Sequence, residues 1–155
     1  THLLPHYKDG LFELAFPEIV NYVDATFNTI PDKAHRAIAG LSMGGMHTLM
    51  ITANYPEMFN YIGLYSAGVD FSHLNMEEVP AYANLDAKLT KLAQGNPKLY
   101  WIACGNEDWL LPANKRLMER MDKDGLKYTS HESPRGHLWC NWRQYSLLFI
   151  PQLFK

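Results

Sequence analysis

The segment Gly40-Leu41-Ser42-Met43-Gly44 matches the pattern G-x-S-x-G, and its surroundings make the match informative. Residues 35–39 before it are typical of a buried β-strand, and residues 46–53 after it favour a helix that ends near Asn54. A serine on such a strand-to-helix turn exposes its hydroxyl, and the flanking glycines prevent clashes between strand and helix. Ser42 is therefore a candidate nucleophile. The alternative is a glycine-rich turn with an incidental serine.

A serine hydroxyl becomes nucleophilic when an imidazole accepts its proton and a carboxylate orients that imidazole. Asp108 follows the apolar β-type run 98–104, and His137 lies in a loop after a second β-type run, 127–132. Of seven histidines, only His137 combines a loop setting with the chain order serine, acid, histidine. We therefore expect His137 to be the general base and Asp108 to orient it. Taken singly, Asp108 also fits a turn or helix-cap residue, and His137 a surface histidine.

The elements that must position these residues alternate between strands and helices, without internal repeats. Such alternation predicts an α/β fold with a parallel sheet covered by helices. The predicted strands are residues 35–40, 61–66, 98–104 and 127–132. Further helices are predicted from Pro17 to about Thr29, over 77–82 and 85–94, from Pro112 to Gly125, and after His137.

The helix that begins at Pro17 carries an apolar stripe with spacings of three and four residues. We expect this stripe to pack into the core. Its members are Phe16, Val20, Val23, Phe27 and Ile30.

The composition is that of a soluble globular protein, with 47% hydrophobic and 19% charged residues in a chain of 155. A formal net charge of −2 gives no electrostatic reason to expect nucleic acid or an anionic membrane as a partner. No stretch approaches the roughly 20 apolar residues of a transmembrane helix. The first residues, Thr1–Pro5, show no charged leader followed by an apolar run.

Two cysteines are too few for a disulfide framework. We expect Cys104 to pack as a small hydrophobic residue at a strand end and Cys140 to lie on the last helix; a disulfide between them is the less favoured alternative. The sequence contains no metal-ligand set with a recognised spacing and no phosphate-binding loop, so neither a metal nor a cofactor is expected.

Tryptophans follow both the candidate acid and the candidate base. Trp109 is next to Asp108, while Trp139 and Trp142 follow His137 within a few residues. Their indoles are suited to stacking on an aromatic acyl group or a sugar ring, which makes Trp109 and Trp139 candidate substrate-binding residues. Core packing is the alternative, especially for Trp139 and Trp142, which share a helix face at a spacing of three.

These motifs resemble the feruloyl-esterase-like carbohydrate esterases of the α/β-hydrolase superfamily, whose wider relatives include enterochelin esterases and mycolyltransferases. The likeness extends from about Phe16 to the end. One departure is Arg135, where the family usually has a second glycine before the histidine. The matching segments are HRAIAGLSMGG (35–45), YPEMF (55–59), YIGLYSAG (61–68), CGNED (104–108), and GHLW with WR (136–139 and 142–143).

The resemblance implies a serine carboxylic-ester hydrolase that acts on acylated plant polysaccharide, such as feruloylated or acetylated xylan. Ser42, Asp108 and His137 would form its triad, with an acyl-enzyme intermediate and no cofactor. The resemblance also implies a secreted or periplasmic location. Two alternatives stay open. One is a non-catalytic half-domain remnant that serves only for binding; the other is acyl transfer to an alcohol by the same triad.

The resemblance further implies one partial domain over residues 1–155, which corresponds to the C-terminal strands of an eight-stranded family sheet. Met43 N–H would supply one donor to an oxyanion hole, and an upstream loop of the family fold would supply the other. The strand from His35 to Gly40 would then be an apolar edge, and such edges recruit other strands. Three partners are expected alternatives: a second copy in a homodimer, a separately supplied N-terminal half, or the chain's own segment Thr1–Leu14.

Overall fold

A computed structural model of the protein describes residues 9–72 and 75–155. Four parallel strands form one sheet, in which the strand order follows the chain order. The predicted α/β architecture with a parallel sheet is confirmed, and each predicted strand agrees with an observed one to within two residues. The strands are β1 (Ala37–Leu41), β2 (Tyr61–Tyr65), β3 (Leu99–Gly105) and β4 (Thr129–Ser133).

Helices connect and flank the strands. Over the described ranges they are α1 (Leu11–Leu14), α2 (Phe16–Thr26), α3 (Met43–Asn54), α4 (Leu85–Gln94), α5 (Leu111–Lys123) and α6 (Trp139–Phe149), with short 3₁₀ turns at Lys33–His35, Met76–Glu78 and Ile150–Gln152. None of the helices in this part of the chain is both long and apolar enough to cross a membrane.

The helix predicted over residues 77–82 is wrong, because only the 3₁₀ turn Met76–Glu78 forms there. Val79 ends this turn in an extended conformation, with φ −109° and ψ 110°. The cause is Pro80, since the ring of a proline disfavours the helical conformation in the residue before it.

The sheet separates two apolar cores. Alternate residues of β2 point to opposite faces: Ile62 and Leu64 pack against α3, α4 and α5, whereas Tyr61 and Tyr65 pack against α6. The second core is small and aromatic, and its inner layer includes Tyr145 of α6. With helices on both faces, the carboxyl ends of the strands form one accessible rim, which is where ligands bind in open α/β sheets.

At one edge of the sheet lies β1, which pairs with β2 alone among the described strands. The residues of β1 are half-buried, and Ala39 is exposed, so the prediction of a buried strand here is wrong. Its outer edge lacks a neighbour within the described ranges, whereas every residue of β2 is buried. Leu11–Leu14 form α1 and do not pair with this edge, and residues 1–8 lie outside the described residues. Pairing of the edge with another strand stays a prediction.

The apolar stripe of α2 enters the core only through its first turns. Phe16 and Val20 pack against the core, and the Phe16 ring lies 6.2 Å from that of Phe59. Val23, Phe27 and Ile30 are exposed, so the prediction that the whole stripe is core is wrong. The physical reason is the open side of β1: Val23 and Ile30 line a groove of about 470 Å³ there, and no element packs over them within the described residues.

A buried polar pair attaches α1 to the helix that follows the candidate nucleophile. Glu13 is fully buried, and its Oε1 lies 2.5 Å from Nδ1 of His47 on α3. Removing one partner of a buried pair leaves the other without its hydrogen bond. The resulting loss of folding free energy is larger than the net stability that the intact pair contributes. We expect Glu13→Ala to lower the free energy of unfolding by about 3 kcal/mol, measured by urea denaturation.

The matched control for that measurement is Glu18→Ala. Glu18 is exposed on α2, so its removal is expected to change the free energy of unfolding by less than about 0.5 kcal/mol. Equal losses in the two variants would contradict the role given to the Glu13–His47 pair.

Candidate active site

The predicted nucleophile lies on a strained turn between β1 and α3. Ser42 has φ 52° and ψ −119°, a conformation that non-glycine residues adopt only when their surroundings impose it. Two backbone hydrogen bonds impose it here. The Ser42 N–H donates to the Tyr65 carbonyl at 2.9 Å, and the Ser42 carbonyl accepts from the Gly68 N–H at 2.7 Å. The turn is therefore fixed by the loop that follows β2.

Two glycines on either side of Ser42, Gly40 and Gly45, allow the close approach of α3 to the sheet. A Cβ at Gly40 would lie 2.1 Å from the Gly44 carbonyl oxygen, and a Cβ at Gly45 would lie 2.7 Å from that of Ala67. The steric explanation predicted for the flanking glycines therefore holds at Gly40 and at Gly45. It is wrong for Gly44, where a Cβ would meet no atom within 4 Å, because Gly44 faces the strand with its carbonyl.

The three candidate catalytic side chains form one chain of hydrogen bonds. His137 Nε2 lies 3.0 Å from Ser42 Oγ, and His137 Nδ1 lies 2.9 Å from Asp108 Oδ2. Because a carboxylate only accepts hydrogen bonds, Nδ1 carries the proton and the neutral ring presents a bare Nε2 to the serine hydroxyl. This is the tautomer that a general base for Ser42 requires.

Asp108 is held in place by the turn that precedes α5. Its side chain is fully buried, and Oδ1 accepts from the Leu110 N–H at 2.9 Å, which leaves Oδ2 for the histidine. Its carbonyl accepts from the Leu111 N–H at the start of α5. Asp108 therefore combines the two roles considered for it, since it stabilises the turn and also binds the histidine.

Arg135 occupies a conformation that favours glycine. Its φ is 73°, in the left-handed region, two residues before His137. The second glycine usual in the resembling family thus has a backbone reason, and this chain accommodates the same turn with an arginine. The carbonyl of Arg135 accepts a hydrogen bond from the Glu107 N–H at 3.0 Å, which links the histidine loop to the acid loop.

Aromatic rings surround the imidazole of His137. The Trp142 ring meets it edge-on at 4.8 Å, and the Trp109 ring lies 5.4 Å away. Trp142 is buried, but Trp109 and Trp139 are 71% and 65% exposed. Core packing is therefore correct for Trp142 and wrong for Trp139, although the two rings are in contact at 5.2 Å. The contact of Trp142 with His137 has no signal in the sequence beyond the spacing of the tryptophans.

Both cysteines are free thiols, as expected from the sequence. Burial, and after it the Asp108 carboxylate, raises the pKa of Cys104 to about 12. This thiol is therefore protonated at neutral pH and does not compete with Ser42 as a nucleophile. Cys140 is exposed on α6, where a hydrogen bond from the Arg135 side chain lowers its pKa. The described residues contain no group of three or more side chains suited to hold a metal ion.

The backbone N–H of Met43 belongs to the first turn of α3, directly after the candidate nucleophile. Positively polarised N–H groups at the N-terminus of a helix favour a nearby negative charge. The oxyanion role predicted for Met43 stays a prediction.

Comparison with known proteins supports the sequence resemblance. The Esterase family model, described as "Putative esterase", matches residues 6–148. The chain is 34% identical over 139 residues to an endo-1,4-beta-xylanase/feruloyl esterase of Xylanibacter ruminicola, covering 89% of this chain and 17% of that protein. It is 27% identical over 157 residues to an acetyl esterase of Caldicellulosiruptor saccharolyticus, covering 83% of this chain and 58% of that protein.

A similar fold occurs in a fluorophosphonate-binding serine hydrolase of Staphylococcus aureus. The two structures share a TM-score of 0.78 at 20% identity, over 93% of this chain and 64% of the other. The chain thus spans less than two thirds of each of these three proteins. Because the family model covers nearly the whole chain, the chain belongs to the Esterase family.

Proposed function

We propose that this chain carries the catalytic centre of a serine carboxylic-ester hydrolase for acylated plant polysaccharide, such as feruloylated or acetylated xylan. The observation that carries the proposal is the continuous hydrogen-bonded chain from Ser42 through His137 to the buried Asp108. Structural histidines and aspartates are common, but this order at the carboxyl rim of a parallel sheet suits acyl transfer.

In the first half of the reaction, Ser42 Oγ attacks the ester carbonyl while His137 Nε2 takes the hydroxyl proton. The carbonyl oxygen becomes an oxyanion, and the Met43 N–H donates a hydrogen bond to it. Collapse of this intermediate breaks the bond to the sugar oxygen, which leaves as an alcohol after His137 returns the proton. Asp108 stabilises the imidazolium throughout.

In the second half, water attacks the acyl group on Ser42, and His137 takes a proton from that water. The carboxylic acid leaves as the proton returns to Ser42 Oγ. The bonds formed and broken require neither metal nor cofactor.

Support for the substrate class comes from two sources. The two relatives similar in sequence are named as a feruloyl esterase and an acetyl esterase. In this chain, Trp109 is largely exposed beside His137 and offers an indole face to an aromatic acyl group. Trp139, equally exposed but one ring further from the imidazole, is suited to the sugar side.

The choice of acyl group is tested with two esters of one alcohol, ethyl ferulate and ethyl acetate. We expect Trp109→Ala to lower kcat/KM for ethyl ferulate about fivefold more than for ethyl acetate, because stacking on an aromatic ring contributes about 1 kcal/mol. The measurement is initial-rate kinetics with both esters.

The control is Tyr22→Ala. Tyr22 is 66% exposed on α2, which contributes no side chain to the site, so its removal is expected to leave both rates unchanged. An equal effect of Trp109→Ala on both esters would remove the aromatic acyl group from the proposal and leave a general esterase.

A further inference from the structure

The loop that carries His137 receives little support from core packing. It follows β4, the strand at the other edge of the sheet, whose residues are mostly exposed and polar. Pro134 and Arg135 are exposed in the loop itself, and Arg135 has the left-handed backbone conformation. A base that must stay within hydrogen-bond distance of Ser42 therefore needs another means of support.

Asn141 supplies such support from α6. Asn141 is buried, with only 3% of its surface exposed. The Nδ2 amide donates to the Pro134 carbonyl at 2.9 Å and to the Gly136 carbonyl at 3.1 Å. Because both partners are acceptors, both amide protons are used, and only an –NH₂ group satisfies the pair.

The neighbouring carbonyls are satisfied from the opposite side. The Ser133 carbonyl accepts from the Asn106 N–H at 2.7 Å, and the Arg135 carbonyl accepts from the Glu107 N–H at 3.0 Å. Four consecutive carbonyls before His137 are thus hydrogen-bonded, two to the acid loop and two to Asn141. Asn141 holds the half of this loop that the acid loop does not reach.

We infer that Asn141 is a positioning residue for ester hydrolysis, which acts by holding the loop 133–136 so that His137 Nε2 stays near Ser42 Oγ. The inference rests on the proposed function. Being buried behind the loop, Asn141 acts through His137 and does not touch the substrate. Its loss is therefore expected to affect proton transfer, and hence kcat, far more than KM.

Two substitutions test the inference. Asn141→Ala removes both donors, and Asn141→Asp keeps the shape but turns a carboxylate oxygen toward two carbonyl oxygens. We expect both to lower kcat for ethyl acetate by about 10- to 100-fold with KM changed less than about twofold, and Asn141→Asp to be the worse. Asn141→Ser, which restores one donor, is expected to recover part of the loss.

A second measurement does not depend on activity. The Glu107 N–H donates to the Arg135 carbonyl and so reports opening of the loop. In Asn141→Ala and Asn141→Asp we expect hydrogen exchange of the Glu107 amide to be at least about tenfold faster than in the wild type, because local opening of the loop becomes easier.

The chain offers a matched control in Asn54, the last residue of α3. Its Nδ2 also donates to two carbonyls, those of Met50 at 2.7 Å and Ala81 at 2.8 Å, but it lies at the opposite end of α3 from Ser42. We expect Asn54→Ala and Asn54→Asp to lower the melting temperature without changing kcat or the exchange of Glu107.

The inference is overturned if the Asn141 variants keep kcat within twofold of wild type, or if they lose no more activity than Asn54 variants of equal melting temperature. Unchanged exchange of the Glu107 amide would also overturn it. If the wild-type protein hydrolyses no ester, the proposed function fails, while the exchange rates still decide whether Asn141 holds the loop.

Discussion

Ester hydrolysis is expected to fall about a million-fold in Ser42→Ala. The physical reason is that, in the proposed mechanism, the hydroxyl 3.0 Å from His137 Nε2 forms the covalent intermediate. Without it, the imidazole has no nucleophile to activate on the enzyme. The measurement is hydrolysis of p-nitrophenyl acetate, corrected for the background rate.

His137→Ala should cause a loss of similar size, and the double variant should be little worse than either single one, because the two groups act as a unit. A serine-directed phosphonate should add one label to the wild-type protein and none to Ser42→Ala. Ser130→Ala, at an exposed position of β4, is the control and should keep both activity and label. Independent, multiplicative losses would indicate another nucleophile or another base.

The second large effect is expected for Asp108→Asn, with a fall in kcat of about 10,000-fold. The new side chain has the same shape, and its amide oxygen still accepts from the Leu110 N–H, which directs its NH₂ group at His137 Nδ1. Nδ1 must then be the acceptor, so the ring proton moves to Nε2 and that nitrogen no longer accepts from Ser42. The loss therefore arises from the wrong tautomer and leaves the fold intact.

The neighbouring acid provides the control for this second prediction. Glu107 is exposed next to Asp108, so Glu107→Gln should keep kcat within about twofold of wild type while near-UV circular dichroism stays unchanged in both variants. If Glu107→Gln were the inactive variant, the assignment of the acid would be wrong. A remnant without catalytic function would show no difference among wild type, Asp108→Asn and Glu107→Gln.

The positions of Ser42, Asp108 and His137 could be predicted because each follows a strand with a strong local signal. Parallel strands bring their carboxyl ends to one rim, so three residues far apart in sequence meet once the strands are recognised. Gly40 is a further sign in the sequence, because a glycine at this position allows the helix to approach the strand closely. The distances among the three side chains depend on loops and not on strand signals.

Other features could not be predicted because they depend on what packs against an element. The periodicity of α2 shows an apolar face but not whether another element covers it, and Val23 and Phe27 are exposed. The hydrophobic residues of β1 by themselves do not reveal an edge strand either; that expectation came from the family resemblance, and β1 does lie at an edge of the sheet. Asn141 has no local signal at all, since an asparagine inside a helix is usually exposed, and its role depends on carbonyls five and seven residues away.

The order of the strands has a consequence for the newborn chain. Since each strand pairs with the one synthesised just before it, the serine turn, which is hydrogen-bonded to Tyr65 and Gly68, is complete while β4 has yet to be made. Ser42 and His137 are 95 residues apart, so the imidazole is synthesised well after the serine turn. Under the proposed mechanism, Ser42 therefore lacks its general base on the ribosome and in partly folded intermediates, and it becomes a nucleophile only when β4 and the loop after it dock.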